Sequence, residues 1–155
     1  MALSGVKFRE KVGEQILDMM ETLLGDSPGS VLSGRSDMII LRAKTMIARC
    51  LGDSGLNLDQ IATELRISAN YLAKLFRMEG TTVMRYVLEK RLDRAHSLVK
   101  QFGQHHMQIQ EIAYMCGFES PSHFSRMFKQ HFGVSPRDAL AHVRISRSMS
   151  SPAPS

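Results

Sequence analysis

The sequence predicts an all-α protein of about seven helices, with one two-helix unit occurring twice around a long central helix. Three observations predict it. Some 110 residues between two stretches rich in Gly, Ser and Pro carry helical periodicity and no two-residue alternation. Within them Ile61-Ala62 matches Ile112-Ala113 at an offset of 51. Then Ser68, Leu72, Lys74, Leu75, Phe76 and Arg77 match Ser120, Phe124, Arg126, Met127, Phe128 and Lys129 at an offset of 52. Finally, the 20 residues from Thr81 to Lys100 place Met84, Val87, Leu88, Leu92, Ala95, Leu98 and Val99 on one helical stripe.

The elements follow in chain order. Val12, Ile16, Met19 and Leu23, widened by Leu17, Met20 and Leu24, give residues 1–24 one amphipathic helix of about 18 residues. Residues 25–36 hold eight Gly, Ser or Pro in twelve and read as a flexible linker. The helical domain is expected over 37–143, and a disordered tail rich in Ser and Pro over 144–155. In each copy of the repeat a short helix carrying Ile-Ala precedes a tight turn and a second helix opened by a serine N-cap. Alanine lets two helices approach closely. Gly117 supplies a positive φ at the second turn, where the first copy has Arg66. These are tandem helix-turn-helix subdomains, about 58–79 and 109–131, joined by a connecting helix near 81–100.

Composition narrows the function. The 155 residues carry a net charge of +5, and 43% are hydrophobic, enough to fill a core. The longest aliphatic run, Met38 to Leu41, is far short of a bilayer span, so no membrane partner is expected. Met1-Ala2-Leu3-Ser4 lacks the features of a secretory signal. Cys50 and Cys116 lie 66 positions apart and make neither a disulfide framework nor a zinc ligand set, which suits a reduced, cytoplasmic compartment. Neither stands beside an activating base, and no phosphate loop, nucleophile elbow or carboxylate pair occurs. His105-His106 reads as a solvated loop without companion ligands. Neither an enzyme nor a cofactor is expected.

The second helix of each copy divides by face. Leu72, Leu75 and Phe76 point one way, while Asn70, Ala73, Lys74 and Arg77 point the other. In the second copy Phe124, Met127 and Phe128 face inward, and Ser122, Ser125, Arg126 and Lys129 face outward. Asn suits adenine, Lys or Arg guanine, and Ser either. A solvated helix face is the bland alternative for one stripe; two matched stripes argue for readers of DNA. Residues 66–94 carry a charge of +4, against −1 for residues 1–36. At 1.5 Å per residue a 20-residue connecting helix spans about 30 Å, close to one turn of B-DNA. Two readers spaced by it could enter successive major grooves.

At these residues the chain closely resembles the AraC/XylS family of bacterial transcription regulators. The match is densest from Ile112-Ala113 through Gly117-Phe118, Ser120, Phe124 and Phe128-Lys129 to Gly133-Val134-Ser135-Pro136. It extends through Ile61-Ala62, Leu65, Ser68, Tyr71-Leu72, Lys74-Leu75-Phe76, Arg91-Leu92 and Ala95. The resemblance implies seven helices, binding to double-stranded promoter DNA and, with RNA polymerase, transcriptional activation at the nucleoid. Carried across by position, base contacts fall at Asn70, Ala73 and Lys74, and at Pro121, Ser122, Ser125 and Arg126. The chain departs from the pattern at Arg66, where glycine is usual, at the short Glu79-Gly80 turn, and at Ala139-Leu140. Many members carry an N-terminal effector-binding domain, for which 36 residues are too few. The first 24 residues are therefore expected to be the remnant of such a domain, and residues 6–24 a homodimer contact. A stand-alone activator and a helical protein-interaction module are the alternatives.

Overall fold

The computed structural model describes residues 29–102 and 107–150. Among them are seven α-helices and no strand: α1 Gly29–Cys50, α2 Leu58–Leu65, α3 Ala69–Met78, α4 Val83–Phe102, α5 Ile109–Met115, α6 Pro121–Phe132 and α7 Pro136–Ser148. This is the expected all-α architecture, with α2–α3 and α5–α6 as the two helix-turn-helix pairs and α4 as the long helix between them. The chain divides into two compact units, one of residues 29–46 and Asn57–Val83, the other of Ile47–Leu56 and residues 84–150.

In the first unit, local signals start and stop each short helix. The extended Asn57 opens α2, its side-chain oxygen accepting the Gln60 N–H at 2.9 Å. Arg66 closes α2 in the left-handed region, at φ 57. There the Arg66 N–H reaches the Thr63 carbonyl at 3.0 Å and the Ile67 N–H the Ala62 carbonyl at 3.1 Å. That paired closure satisfies carbonyls the helix would otherwise leave open. Ser68 then caps α3, its hydroxyl accepting the Tyr71 N–H at 3.1 Å. Gly80, at φ 79, ends α3 by the same pattern, with Gly80 to Arg77 at 2.9 Å and Thr81 to Phe76 at 3.1 Å. Ile40 and Ala43 of α1 are buried, with Ile61, Ala62, Leu72, Leu75, Phe76 and Val83. Lys44 of α1 pairs with Glu79 at the end of α3.

The second unit has one continuous core. Leu92, Ala95 and Val99 of α4 pack with Ile112, Ala113, Cys116, Phe118, Phe124, Phe128 and Leu140. Phe118 and Phe124 have ring centres 5.0 Å apart, Phe124 and Phe128 5.5 Å, and Phe128 and Phe132 4.6 Å. Such tilted and edge-on pairs add to the area they bury. The Gln108 N–H donates to the Glu111 carboxylate at 2.8 Å at the start of α5. Ser120 caps α6 by accepting the His123 N–H at 3.3 Å, and Pro121 takes the first helical position. Ser135 caps α7, accepting the Asp138 N–H at 3.1 Å.

Several expectations change. Residues 29–36, part of the expected 25–36 linker, are the first turns of α1. Ile40, Ala43 and Ile47 anchor that helix at i, i+3 and i+7, and extending a nucleated helix costs only about 1 kcal/mol per glycine. The expected tail likewise starts as helix, because α7 runs on from Leu140 and Val143 to Ser148. The connecting helix starts at Val83, which is buried at its first turn, so Met84 faces outward and not into the core. The amphipathic helix expected at 1–24 and the His105-His106 loop lie outside the described residues.

Candidate nucleic-acid interface

The two reader helices, α3 and α6, divide by face as the sequence predicts. On α3, Leu72, Leu75 and Phe76 are buried, while Asn70, Lys74 and Arg77 are exposed and Ala73 is half-buried. On α6, Phe124 and Phe128 are buried and Met127 is half-buried, while Ser122, Arg126 and Lys129 are exposed, with Ser125 and Pro121 intermediate. Each unit therefore holds its reader by aromatic and aliphatic anchors and leaves a hydroxyl, amide and cation face outward. Serine hydroxyls take up backbone N–H groups at both helix starts, so Asn70 and Ser122 sit in the first turns of well-capped helices.

Several cations are engaged within the protein. Arg85 pairs with Glu89 at 3.3 Å and Lys90 with Asp93 at 3.3 Å along α4. Arg91 is the residue whose role the sequence conceals. Its Nε donates to the Leu51 carbonyl at 3.1 Å and its Nη2 to the Asp53 carbonyl at 2.6 Å. Burial pushes its pKa down, opposed by Asp53, Cys116 and Glu119, yet guanidinium remains charged. The gripped turn lies against the second helix-turn-helix. A Cβ on Gly117 would stand 2.2 Å from the Leu51 carbonyl oxygen and 2.9 Å from Arg91 Nε. Gly117, at φ 82, thus answers two demands at once: a left-handed turn and contact with another backbone. The signal in sequence was the Arg91-Leu92 pair, but not its partner some 40 positions upstream.

Of the two cysteines, Cys50 is partly buried and Cys116 buried. Burial pushes the Cys116 thiol up to about 11, against smaller opposing effects of Arg94 and Arg91, so it is protonated at neutral pH. Among the described residues no cluster of His, Cys, Asp and Glu is placed to hold a metal. None of the described helices is long and apolar enough to cross a membrane.

Two capped reader helices, each the second member of a helix-turn-helix pair, define a tandem helix-turn-helix protein of the DNA-binding class. Comparison with known proteins agrees. The helix-turn-helix domain family matches residues 61–142. Among solved structures, a transcriptional regulator of the AraC-type DNA-binding domain class from Chromobacterium violaceum is 32% identical with a TM-score of 0.63; the match covers 71% of this chain and 96% of that one. The C-terminal domain of AraT, a response regulator from Geobacillus stearothermophilus, is 28% identical with a TM-score of 0.62, over 67% and 84%. The transcriptional activator RhrA of Rhizobium meliloti is 37% identical over 95 residues, 61% of this chain and 30% of that protein. The chain belongs to the AraC-type helix-turn-helix DNA-binding family. It spans 30% of the length of RhrA.

Proposed function

We propose that this chain is the DNA-reading part of a longer transcription regulator, which binds double-stranded promoter DNA at the nucleoid and activates transcription with RNA polymerase. One observation carries the reading: two reader helices in a tandem repeat present matched polar and cationic faces outward. Asn70, Ala73 and Lys74 read bases in one half-site, and Pro121, Ser122, Ser125 and Arg126 in the other. Asn and Arg can engage adenine and guanine edges with two hydrogen bonds each, and serine is permissive. Ala73 and Pro121 offer apolar contact to a thymine methyl. Arg77 and Lys129, a turn further along, meet phosphates. RhrA is named a transcriptional activator, which supports the direction of regulation. The apolar stripe of residues 6–24 would join two copies of the chain, a contact that Leu17→Asp should abolish in sedimentation.

Selection from a random duplex pool tests the reading. A recovered consensus with two half-sites, spaced by about one helical turn, is the expected result. Transcription from a promoter carrying that consensus should rise when the protein is added. A pool without enrichment would favour the protein-interaction module.

A further inference from the structure

Arg66 is, among the described residues, the one non-glycine residue with positive φ, at φ 57 and ψ 41. The two turns of the repeat close alike. Arg66 N–H to Thr63 carbonyl and Ile67 N–H to Ala62 carbonyl match Gly117 N–H to Tyr114 carbonyl and Phe118 N–H to Ala113 carbonyl, all within 3.0–3.1 Å. The second turn carries the residue suited to this conformation, and the first carries a strained one. Left-handed backbone disfavours a side chain, since its Cβ crowds the following carbonyl. Nothing among the described residues accounts for the arginine. Its side chain is exposed, and among the described residues its guanidinium makes no hydrogen bond or ion pair. Such a residue at a strained position marks function.

Its place indicates the partner. Arg66 stands two residues before Ser68, the cap of α3, and four before Asn70, the first exposed residue of the reader. Four residues span at most about 14 Å even when fully extended, and the turn makes the separation shorter. A reader within a major groove about 12 Å wide is flanked on both sides by phosphates. A long cation at that distance reaches a phosphate row when Asn70 reaches a base. We propose that Arg66 is a phosphate-binding residue of the first helix-turn-helix, retained at the expense of backbone strain to fix the register of α3 on duplex DNA. The inference rests on the function proposed above.

Arg66→Gly separates this role from a structural one, because glycine suits the turn while the cation is lost. The variant should melt at or above the parent temperature, yet bind the selected duplex less tightly. Loss of one phosphate contact lowers the salt slope by about 0.9, so the parent's advantage should shrink about 3.5-fold between 50 and 200 mM salt. Arg66→Lys should retain the parent's slope. A Gly variant with the parent's affinity and slope overturns the inference, as does weaker binding at an unchanged slope. Unaltered DNA binding with loss of activated transcription also overturns it, in favour of a protein partner. A parent that shows no preference for its selected duplex refutes the proposed function itself, which keeps the two failures distinct.

Discussion

Among the described residues three glycines adopt positive φ, and replacing each by alanine separates backbone strain from steric conflict. Gly80 (φ 79) and Gly133 (φ 77) have nothing within 4 Å of an added Cβ. Their alanine variants incur the left-handed penalty of about 1–2 kcal/mol, offset by about 0.4–1 kcal/mol from a less flexible unfolded chain. A net loss of about 0.5–1 kcal/mol is expected. Gly117→Ala adds a methyl 2.2 Å from the Leu51 carbonyl oxygen and 2.9 Å from Arg91 Nε. Forcing these apart costs about 1–3 kcal/mol for overpacking, and disturbing the charged Arg91 hydrogen bonds about 1.5–3 kcal/mol more. With the backbone penalty, total destabilisation is about 3–7 kcal/mol. Urea titrations of the three variants, followed by circular dichroism, measure the difference directly. Gly117→Ala unfolding at the same midpoint as Gly133→Ala would refute the close packing of the second turn on Leu51.

Other consequences follow from the cores and the faces. Phe76→Ala and Phe128→Ala each empty a fully buried site and should cost about 3–5 kcal/mol in the same titrations. Arg126→Ala should cost about 1–3 kcal/mol on the selected duplex and relax preference at one base pair, whereas Lys129→Ala should weaken all sequences alike and lower the salt slope by about one. Equal losses on selected and random DNA for Arg126→Ala would remove it as a base reader. His96 stacks on Phe132 with ring centres 4.6 Å apart, and its pKa is pushed down by burial, then by Lys100, against Asp93. The unfolded chain then binds this proton more readily, so stability should fall as pH drops below about 6.5, and His96→Gln should flatten that fall. Melting temperatures between pH 5 and 7.5 measure both.

Readability from sequence tracked the range of the interaction responsible. Ser68, Ser120, Gly117 and the two phenylalanine anchors act within a turn or two of chain, or through a helical stripe, and all were legible. The outward face of each reader was legible for the same reason, since Leu72, Leu75 and Phe76 fix its opposite side. Composition misled where tertiary anchoring decides. Gly29, Gly34 and the serines between them suggest a linker, but they continue a helix held by Ile40, Ala43 and Ile47. The stripe of α4 included Met84 because periodicity does not say where a core ends; Val83 fills that end. Arg91 was invisible as a tether because its acceptors are main-chain carbonyls on Leu51 and Asp53, which leave no mark in residue type. Arg66 stood out only as a departure from glycine; that it nonetheless adopts the glycine conformation required coordinates.

The most direct test of the central claim is a paired titration of the chain on its selected duplex and on a random duplex from 50 to 200 mM salt. Sequence reading by two helices predicts a preference for the selected duplex of about 10³-fold or more, with affinity for both falling steeply as salt rises. Equal affinity for the two duplexes across that range, or binding insensitive to salt, would contradict it.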